Sequence, residues 1–200
     1  MTLTAILLAA GRGRRFDPDG ARNKLLQPLP GGDSVVEASA RRLLSVFARV
    51  VAVTPPDDGG VGAALRALGC EVTVCADADA GMGLSLAHAI RYSLEVAPDR
   101  EPRPAPQGWL VALGDMPFVA PSTLQLLAAA VEQGAGIAAP LFNGRRGNPV
   151  AFGALHRAAL LALDGDQGAR RLLASCAVST IEVADPGVVR DIDVPEDLPE

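Results

Sequence analysis

The sequence predicts a three-layer α/β fold in which helices cover both faces of a mostly parallel, twisted sheet. Short apolar segments, which suit strands buried on both faces, alternate with segments whose apolar residues recur at helical spacing. An Asn143-Gly144 pair between two apolar runs also predicts a small antiparallel hairpin inserted into the sheet. We expect one domain, residues 1–200, because a chain of this length buries enough surface without a disulfide or structural metal.

The first half of the chain opens with a continuous apolar run, residues 4–9, which stops at Gly11. This run predicts a buried parallel strand followed by a glycine-rich turn. Ser34 and Glu37 have the spacing of a capping box, and apolar residues then recur at helical spacing as far as Phe47. The other elements predicted in this half are strands over residues 49–54 and 71–76 and helices over residues 61–68 and 84–96.

The second half begins after residues 97–107, where four prolines in eleven residues predict a surface connection. A domain linker is not expected there, because the alternation of strands and helices resumes unchanged beyond it. The elements predicted in this half are strands over residues 109–113 and 178–183, hairpin arms over residues 136–141 and 149–152, and helices over residues 121–133, 154–163 and 167–175.

The composition excludes several classes of protein. The chain is 49% apolar and 20% charged, which is typical of a globular protein, and its net charge of −5 argues against a broad nucleic-acid-binding surface. Its apolar runs are too short to cross a bilayer, and no secretory leader pattern opens it. The three cysteines form no C-x-x-C pair and no disulfide framework. We therefore expect a cytoplasmic protein with no membrane or nucleic-acid partner.

The basic residues are concentrated near one end of this acidic chain. Five of the eighteen lie within residues 12–24, and Lys24 is the only lysine. A local group of cations on an acidic protein indicates a small anionic ligand, with a solvated basic loop as the alternative.

The glycines of the same loop favour a phosphate ligand. Gly11 and Gly13 follow the first strand and would let backbone N–H groups approach phosphate oxygens closely. Phe16 stands where a dinucleotide fingerprint has its third glycine, and no Gly-Lys-Ser/Thr sequence forms a Walker A loop. Flexible backbone with several fixed cations suits a triphosphate.

Two acidic motifs predict a metal site. Asp115 directly follows the strand of residues 109–113, at the carboxyl end where α/β sheets bind ligands. A carboxylate there suits a hard divalent cation, and a turn or helix-capping aspartate is the alternative. Asp191 and Asp193 would point to the same side of an extended segment, although an ordinary acidic tail is the alternative interpretation.

Seven motifs together resemble a known family. In chain order they are L-A-A-G-x-G-x-R at residues 8–15, Lys24, G-x-G-x-S-L at 81–86, G-D-M-P at 114–117, G-N-P-V at 147–150, G-D-x-G-A-R at 165–170 and D-I-D-x-P-E-D-L at 191–198. The set resembles the molybdopterin nucleotidyltransferases of the glycosyltransferase-A-like nucleotidyltransferase superfamily, and among these the molybdenum cofactor cytidylyltransferases. The resemblance covers essentially the whole chain. It implies a Rossmann-like sheet of the nucleotide-diphospho-sugar transferase type.

The resemblance also implies roles for individual residues. Lys24, Arg15 and Asp115 are expected to be catalytic, with Lys24 at the α-phosphate and Arg15 at the β- and γ-phosphates. Asp115 is expected to bind Mg²⁺, and Asp193, which we favour over Asp191, would complete the metal site. The residues expected to bind the nucleotide are Ala10, Gly11, Arg12, Gly13, Gly81 and Ser85, the last two at the base or ribose.

One segment departs from the family pattern. The family reaches its lysine a few residues after its arginine, whereas here a longer acidic loop, residues 17–23, precedes Lys24. The placement of Lys24 and the role of Arg22 therefore depend on how this loop folds.

The implied activity is Mg²⁺-dependent transfer of a nucleoside monophosphate from an NTP to a phosphorylated acceptor, with release of pyrophosphate. Transfer of CMP from CTP to molybdopterin is favoured, with transient contact to a molybdoenzyme or its chaperone. The alternatives are a nucleotidyltransferase for a sugar, polyol or other small phosphate, a GTP-using homologue, and a noncatalytic nucleotide-binding domain. An oxidoreductase is disfavoured, because the third glycine and a ribose-binding acid are missing.

The preference for CTP depends on Ala10. GMP-transferring relatives read L-A-G-G at this loop, whereas pyrimidine-using relatives read L-A-A-G, as residues 8–11 do here. The cytidylyl relatives also carry the G-x-G-x-S pattern of residues 81–85. A methyl group beside the base would narrow the slot against a purine by on the order of 1–3 kcal/mol, so a preference for CTP is expected.

Overall fold

The computed structural model describes residues 3–11, 13–95 and 105–199. Arg12 and most of the predicted proline-rich connection lie outside the described residues. The strands are β1 (Thr4–Leu8), β2 (Val50–Thr54), β3 (Glu71–Val74), β4 (Gly108–Leu113), β5 (Ile137–Phe142), β6 (Arg145–Arg146), β7 (Val150–Gly153) and β8 (Ser179–Glu182). The helices are α1 (Val35–Leu44), α2 (Val61–Ala67), α3 (Met82–Leu94), α4 (Pro121–Glu132), α5 (Arg157–Leu161) and α6 (Arg170–Ser175).

These strands form one mixed sheet in the order β3-β2-β1-β4-β7-β5-β6, with β8 paired to β5. The pairs β1–β2, β2–β3, β1–β4 and β5–β8 are parallel. The predicted α/β class and mostly parallel sheet are therefore confirmed. The carboxyl ends of β1 and β4 are adjacent, because Leu8 is aligned with Leu113 in the register of this pair.

The antiparallel part of the sheet differs from the predicted insertion. The expected turn forms, with positive φ angles of 50° at Asn143 and 75° at Gly144, but it joins β5 only to the two-residue strand β6. The second predicted arm is β7, which lies inside the sheet between β4 and β5 and is antiparallel to both. The predicted antiparallel pairing of the two arms is confirmed, since Ile137 is aligned with Phe152 and Ala138 with Ala151. The pairing of β7 with β4 on its other side was not predicted.

Helices cover both faces of the sheet, which confirms the three layers. Alternate residues of β1 point to opposite faces, so Leu7 belongs to the buried cluster that includes α1, α2 and α4, while Ile6 belongs to the one that includes α3 and α5. The continuous apolar sequence of β1 is thus explained by burial on both sides. Glu37 caps α1 as expected, since its carboxylate accepts hydrogen bonds from the backbone N–H and the hydroxyl of Ser34 at 2.8 and 2.6 Å.

The later helices are shorter than predicted. The segment predicted as one helix over residues 154–163 is a 3₁₀ turn, Ala154–His156, followed by α5. Helix α6 begins at Arg170 because Gly165 and Gly168, with φ angles of 59° and 51°, form a turn that excludes residues 165–169 from the helix. No helix in the described part of the chain is both long and apolar enough to cross a membrane.

Candidate active site

A cleft of about 580 Å³ opens beyond the carboxyl ends of β1 and β4. Ligands bind at this end of the strands in open α/β sheets. Of the residues predicted from the sequence, nine line the cleft: Ala10, Gly11, Gly13, Arg15, Lys24, Gly81, Ser85, Asp115 and Asp193. The tenth, Arg12, lies outside the described residues. The fold therefore brings together residues that are far apart in the sequence, while their individual roles stay predictions.

The glycines after β1 serve two different purposes. Gly13 has a φ of +59°, which disfavours any other residue, and a Cβ at this position would lie 3.3 Å from Cγ of Lys24, so the lysine side chain would have to shift slightly to accommodate it. A Cβ at Gly11 would meet no atom within 4 Å in the described structure. Backbone conformation and internal packing thus account for Gly13, whereas the open space beside Gly11 is available to a ligand.

Lys24 is held at the start of a 3₁₀ turn, Lys24–Leu26. The Asn23 side chain caps this turn by accepting a hydrogen bond from the Leu25 N–H at 3.0 Å, and its amide donates to the Asp58 carbonyl at 3.2 Å. The Lys24 side chain is only 9% exposed, so its ammonium group is directed into the cleft with little freedom to move.

The acidic loop before Lys24 folds on itself. Phe16 is buried, and the Arg22 guanidinium lies 5.6 Å from the centre of its ring. The backbone N–H of Arg22 donates to the Asp17 carboxylate at 2.6 Å. The contacts of Arg22 are therefore with its own loop, and Arg22 is not among the residues lining the cleft in the described part of the chain.

Four charged side chains form one side of the cleft, which we call the charged wall: Arg15, Lys24, Asp115 and Asp193. The Lys24 Nζ lies 2.6 Å from Asp115 Oδ2 and 3.3 Å from Asp193 Oδ1. Arg15 Nη1 contacts the other Asp193 oxygen at 2.7 Å. Arg15 is largely exposed, so its pair with Asp193 is easily broken by a competing anion.

Backbone hydrogen bonds hold Asp115 in the charged wall. The Gly114 N–H donates to the Leu8 carbonyl at 2.9 Å, which joins the end of β4 to the end of β1. The Ser39 hydroxyl of α1 lies 2.9 Å from the Gly114 carbonyl oxygen. The Asp115 carbonyl in turn accepts a hydrogen bond from the Ile192 N–H at 2.9 Å, so the two acidic motifs are joined directly.

The second acidic motif places two carboxylates at the cleft. Asp191 and Asp193 both line it, and burial, together with the neighbouring charges of Asp193 and Asp115, raises the pKa of Asp191. Asp197 shapes the motif, since its carboxylate accepts hydrogen bonds from the N–H groups of Asp193 and Val194 at 2.8 and 2.9 Å. These hydrogen bonds lower the pKa of Asp197.

The carboxylates fit a divalent cation in part. Asp115 and Asp193 converge on one ammonium group, which shows that both can reach a single cation. The second oxygen of Asp115, Oδ1, is buried without a hydrogen-bond partner, and such an acceptor costs about 1–3 kcal/mol unless a ligand satisfies it. Within residues 3–11, 13–95 and 105–199, no three Asp, Glu, His or Cys side chains form a ready metal site. Two carboxylates supplemented by phosphate oxygens are a common arrangement for Mg²⁺.

A second part of the cleft lining, which we call the glycine wall, comes from residues 81–85 and 164–170. The Gly83 N–H donates to the Gly165 carbonyl at 2.8 Å. A Cβ at Gly81 would overlap the backbone of Gly165, and one at Gly83 would overlap that of Asp164. Two of the sequence motifs, G-x-G-x-S and G-D-x-G-A-R, are therefore the two halves of one backbone contact.

The glycine wall also contributes charged residues that the sequence predictions missed. Asp166 and Arg170 line the cleft. The Arg170 side chain is exposed and makes no ion pair or hydrogen bond within the described residues. The only signal in the sequence was the G-D-x-G-A-R motif itself, which indicated the family without indicating a role for its arginine.

Comparison with known proteins identifies the same kind of domain. The sequence profile of the MobA-like NTP transferase domain matches residues 5–181. The purine catabolism protein PucB of Bacillus subtilis is 29% identical over 205 residues, a match that covers 98% of this chain and 93% of PucB.

Solved structures show the same fold. Rv0371c from Mycobacterium tuberculosis superposes with a TM-score of 0.80 at 27% identity, over 98% of this chain and 96% of that protein, and it has also been solved in complex with manganese. Molybdopterin-guanine dinucleotide biosynthesis protein A from Archaeoglobus fulgidus has a TM-score of 0.66 at 20% identity, over 98% and 94% of the two chains. At that identity the likeness concerns the fold alone. The predicted nucleotidyltransferase fold is thereby confirmed.

Proposed function

The chain belongs to the MobA-like NTP transferase domain family, and from that premise we propose that it transfers CMP from CTP to a phosphorylated acceptor, with molybdopterin favoured. One observation supports the proposal most strongly. The only lysine of the chain and two carboxylates from distant motifs meet within 3.3 Å in a cleft large enough for a nucleotide. Mere nucleotide binding does not require this paired arrangement of acidic residues.

The chemistry is an in-line attack of an acceptor phosphate oxygen on the α-phosphorus of the NTP. A P–O bond forms to the acceptor as the bond to the β-phosphate oxygen breaks, and pyrophosphate leaves with that electron pair. The protein aligns two anions that would otherwise repel each other and offsets the negative charge that develops between them. No covalent intermediate with the protein is required.

Lys24 and Arg15 are suited to this role because their present partners can be exchanged. Both cations are paired with carboxylates, and incoming phosphate oxygens can take over those contacts without a large movement of the backbone. Lys24 would contact the α-phosphate from its buried position, and the exposed Arg15 would contact the β- and γ-phosphates. Contacts of this kind, made to the charge that develops in the transition state, are worth a few kcal/mol each once the bound substrates exclude water.

Asp115 and Asp193 would hold a divalent cation, with Mg²⁺ favoured. When bound, the metal would neutralise phosphate charge and polarise the α-phosphate. The unpaired Asp115 Oδ1 and the common reach of both carboxylates support this assignment. The manganese complex of Rv0371c is consistent with it.

Ala10 supports CTP as the nucleotide. It lines the cleft between Gly11 and β1, so its methyl group would border the base. Gly81 and Ser85, on the glycine wall, would also border the base or ribose. Because Gly81 lies against the Gly165 backbone, we expect this part of the lining to adapt little to a larger base.

The substrates can be identified with α-³²P-labelled CTP, GTP, ATP and UTP, each incubated with the protein, Mg²⁺ and molybdopterin. We expect label to move from CTP to molybdopterin in a metal-dependent reaction. Label transferred from GTP would show that GTP is the nucleotide substrate. Where molybdopterin stays unlabelled, the same NTPs are incubated with sugar and polyol phosphates, and label on one of these would show that it is the acceptor. Binding without transfer to any acceptor would instead favour a noncatalytic nucleotide-binding domain.

A further inference from the structure

Asp193 reaches the cleft on a segment with almost no regular structure. We call residues 185–193 the C-terminal strap. It contains only one 3₁₀ turn, Pro186–Val189, and makes no sheet pairing of its own in the described structure. The position of the Asp193 carboxylate must therefore be set by whatever holds the strap.

The first residue of the strap is a buried carboxylate. Asp185 is 7% exposed, and its side chain contacts the N-terminus of α4, which is distant in the sequence. Its Oδ2 accepts hydrogen bonds from the Ala120 N–H at 2.8 Å and the Thr123 hydroxyl at 2.7 Å. Its Oδ1 accepts one from the Gly187 N–H at 3.0 Å. Asp185 thus caps α4 from a distant part of the chain and closes the first turn of the strap at the same time.

Beyond Asp185, the strap follows a path with little room for movement. A Cβ at Gly187 would overlap the backbone of Phe118, so the two segments are in direct backbone contact. The Val188 carbonyl accepts a hydrogen bond from the Asn148 N–H at 2.8 Å. The strap ends with the hydrogen bond from the Ile192 N–H to the Asp115 carbonyl, one residue before Asp193.

The two carboxylates that we assign to the metal are therefore positioned by the same part of the fold. Asp115 directly follows Gly114 at the end of β4, and the α4 helix that Asp185 caps begins six residues after Asp115. We infer that Asp185 is a positioning residue, which sets the reach of Asp193 toward Asp115 and so the geometry of the metal site. This inference rests on the proposed function, because it assigns the metal to these two carboxylates.

The test compares Asp185→Asn with a matched control, Glu37→Gln. Glu37 also caps a helix, accepting one backbone N–H and one hydroxyl hydrogen bond, but it caps α1 and makes no contact with the strap. Thr123→Val is the milder variant, since it removes one donor to Asp185 and keeps the volume of the side chain. All three are studied without nucleotide, at a temperature where circular dichroism shows them folded.

The first measurement is Mn²⁺ binding by electron paramagnetic resonance. We expect Asp185→Asn to weaken binding by roughly tenfold, the size typical of losing a residue that orients a metal ligand, and Thr123→Val to weaken it less. Glu37→Gln should bind Mn²⁺ like the wild type. Unchanged binding by Asp185→Asn, or an equal loss in Glu37→Gln, would overturn the positioning role.

The second measurement is hydrogen exchange at the Ile192 amide, which needs no metal. Asp185→Asn should speed exchange at this amide selectively, because the strap loses its anchor while the sheet remains intact. If the wild type bound no Mn²⁺ at all, the metal assignment of the proposed function would fail. The exchange experiment would still decide whether Asp185 holds the strap.

Discussion

The charged wall and the glycine wall line the same cleft, but their residues make different kinds of contact. In the charged wall, side-chain ion pairs join the charged groups to one another, and each of these can be exchanged for a contact with a phosphate. Backbone contact holds the glycine wall, where Gly81 and Gly83 lie against residues 164–165 with no room for a side chain. The comparison indicates that the two walls have different roles: the charged wall would carry out the chemistry, and the glycine wall would fix the shape of the nucleotide-binding part of the cleft.

The largest effect is expected from Asp115→Asn. The amide keeps the volume of the side chain but loses the negative charge that faces Lys24 and would hold the metal. We expect kcat to fall by about a thousandfold or more while the melting temperature changes little. Asp166→Asn, on the glycine wall, is the control and should retain most activity. Activity of Asp115→Asn within a few-fold of wild type at saturating Mg²⁺ would contradict the assignment.

Lys24→Arg tests whether the charged wall needs a compact cation. A chain with seventeen arginines and one lysine uses the lysine at its most buried cationic position in the cleft. The Lys24 ammonium lies between two carboxylates at 2.6 and 3.3 Å, and a planar guanidinium is larger than the compact ammonium that fits between them. We expect kcat to fall by about a hundredfold, with a smaller rise in the KM for the NTP. Steady-state kinetics would show this, with Arg22→Lys as a control, and a fully active Lys24→Arg would show that the size of the cation is irrelevant.

Two glycine substitutions compare the glycine wall with the loop after β1, one through stability and the other through nucleotide binding. Gly81→Ala introduces a Cβ that overlaps the Gly165 backbone at a φ of +135°, so unfolding should require about 2–4 kcal/mol less free energy. Gly11→Ala meets open space and should leave stability unchanged while raising the KM for the NTP. Denaturant titration and initial-rate kinetics measure both effects. Equal stability of the two variants would mean that the glycine wall is not fixed by backbone contact.

Arg170 is a cation of the glycine wall, and we expect it to bind substrate. Its side chain faces the cleft without an ion pair among the described residues, so we expect it to contact an anionic group of one substrate. Arg170→Gln should lower kcat/KM by about tenfold. Arg171→Gln is the matched control, because Arg171 lies on the same helix but is not among the described residues that line the cleft. Its guanidinium Nε donates a hydrogen bond to the Gln167 side chain at 3.3 Å. Equal kinetics for the two variants would leave Arg170 without a role.

The smallest effect is expected from Ala10→Gly, which removes one methyl group from the slot. The wild type should prefer CTP to GTP by at least about tenfold in kcat/KM, and the variant should narrow that ratio. A competition assay with both nucleotides measures it directly. GTP equal to or better than CTP in the wild type would contradict the pyrimidine preference and leave the nucleotidyltransferase class intact.

The sequence predicted the fold and the location of the cleft because both depend on local patterns. The apolar run of β1 indicated burial on both faces, and Asp115 at the end of β4 indicated the ligand edge. The hairpin turn signal predicted that β7 pairs with β5, but not that β7 also pairs with β4, since pairing between strands distant in sequence depends on the path of the chain. The ion pairs that join Lys24 to Asp115 and Asp193 likewise appear only after folding.

The glycines were harder to interpret than the charged residues. Gly81 was predicted from the resemblance to border the nucleotide, and it does line the cleft. Its lack of a side chain is nevertheless required by Gly165, which is 84 positions further along the chain. Arg170 and Asp185 went unassigned for a similar reason, because their surroundings come from segments that no spacing pattern connects.

The most direct test of the central claim is the fate of each phosphate of CTP in one metal-dependent reaction. With the acceptor and Mg²⁺ present, label from α-³²P-CTP should become attached to the acceptor, and label from γ-³²P-CTP should appear in pyrophosphate at the same rate. Both transfers should disappear on chelation of the metal and in Asp115→Asn. Release of the γ-label as orthophosphate, or transfer that persists without metal, would contradict the account.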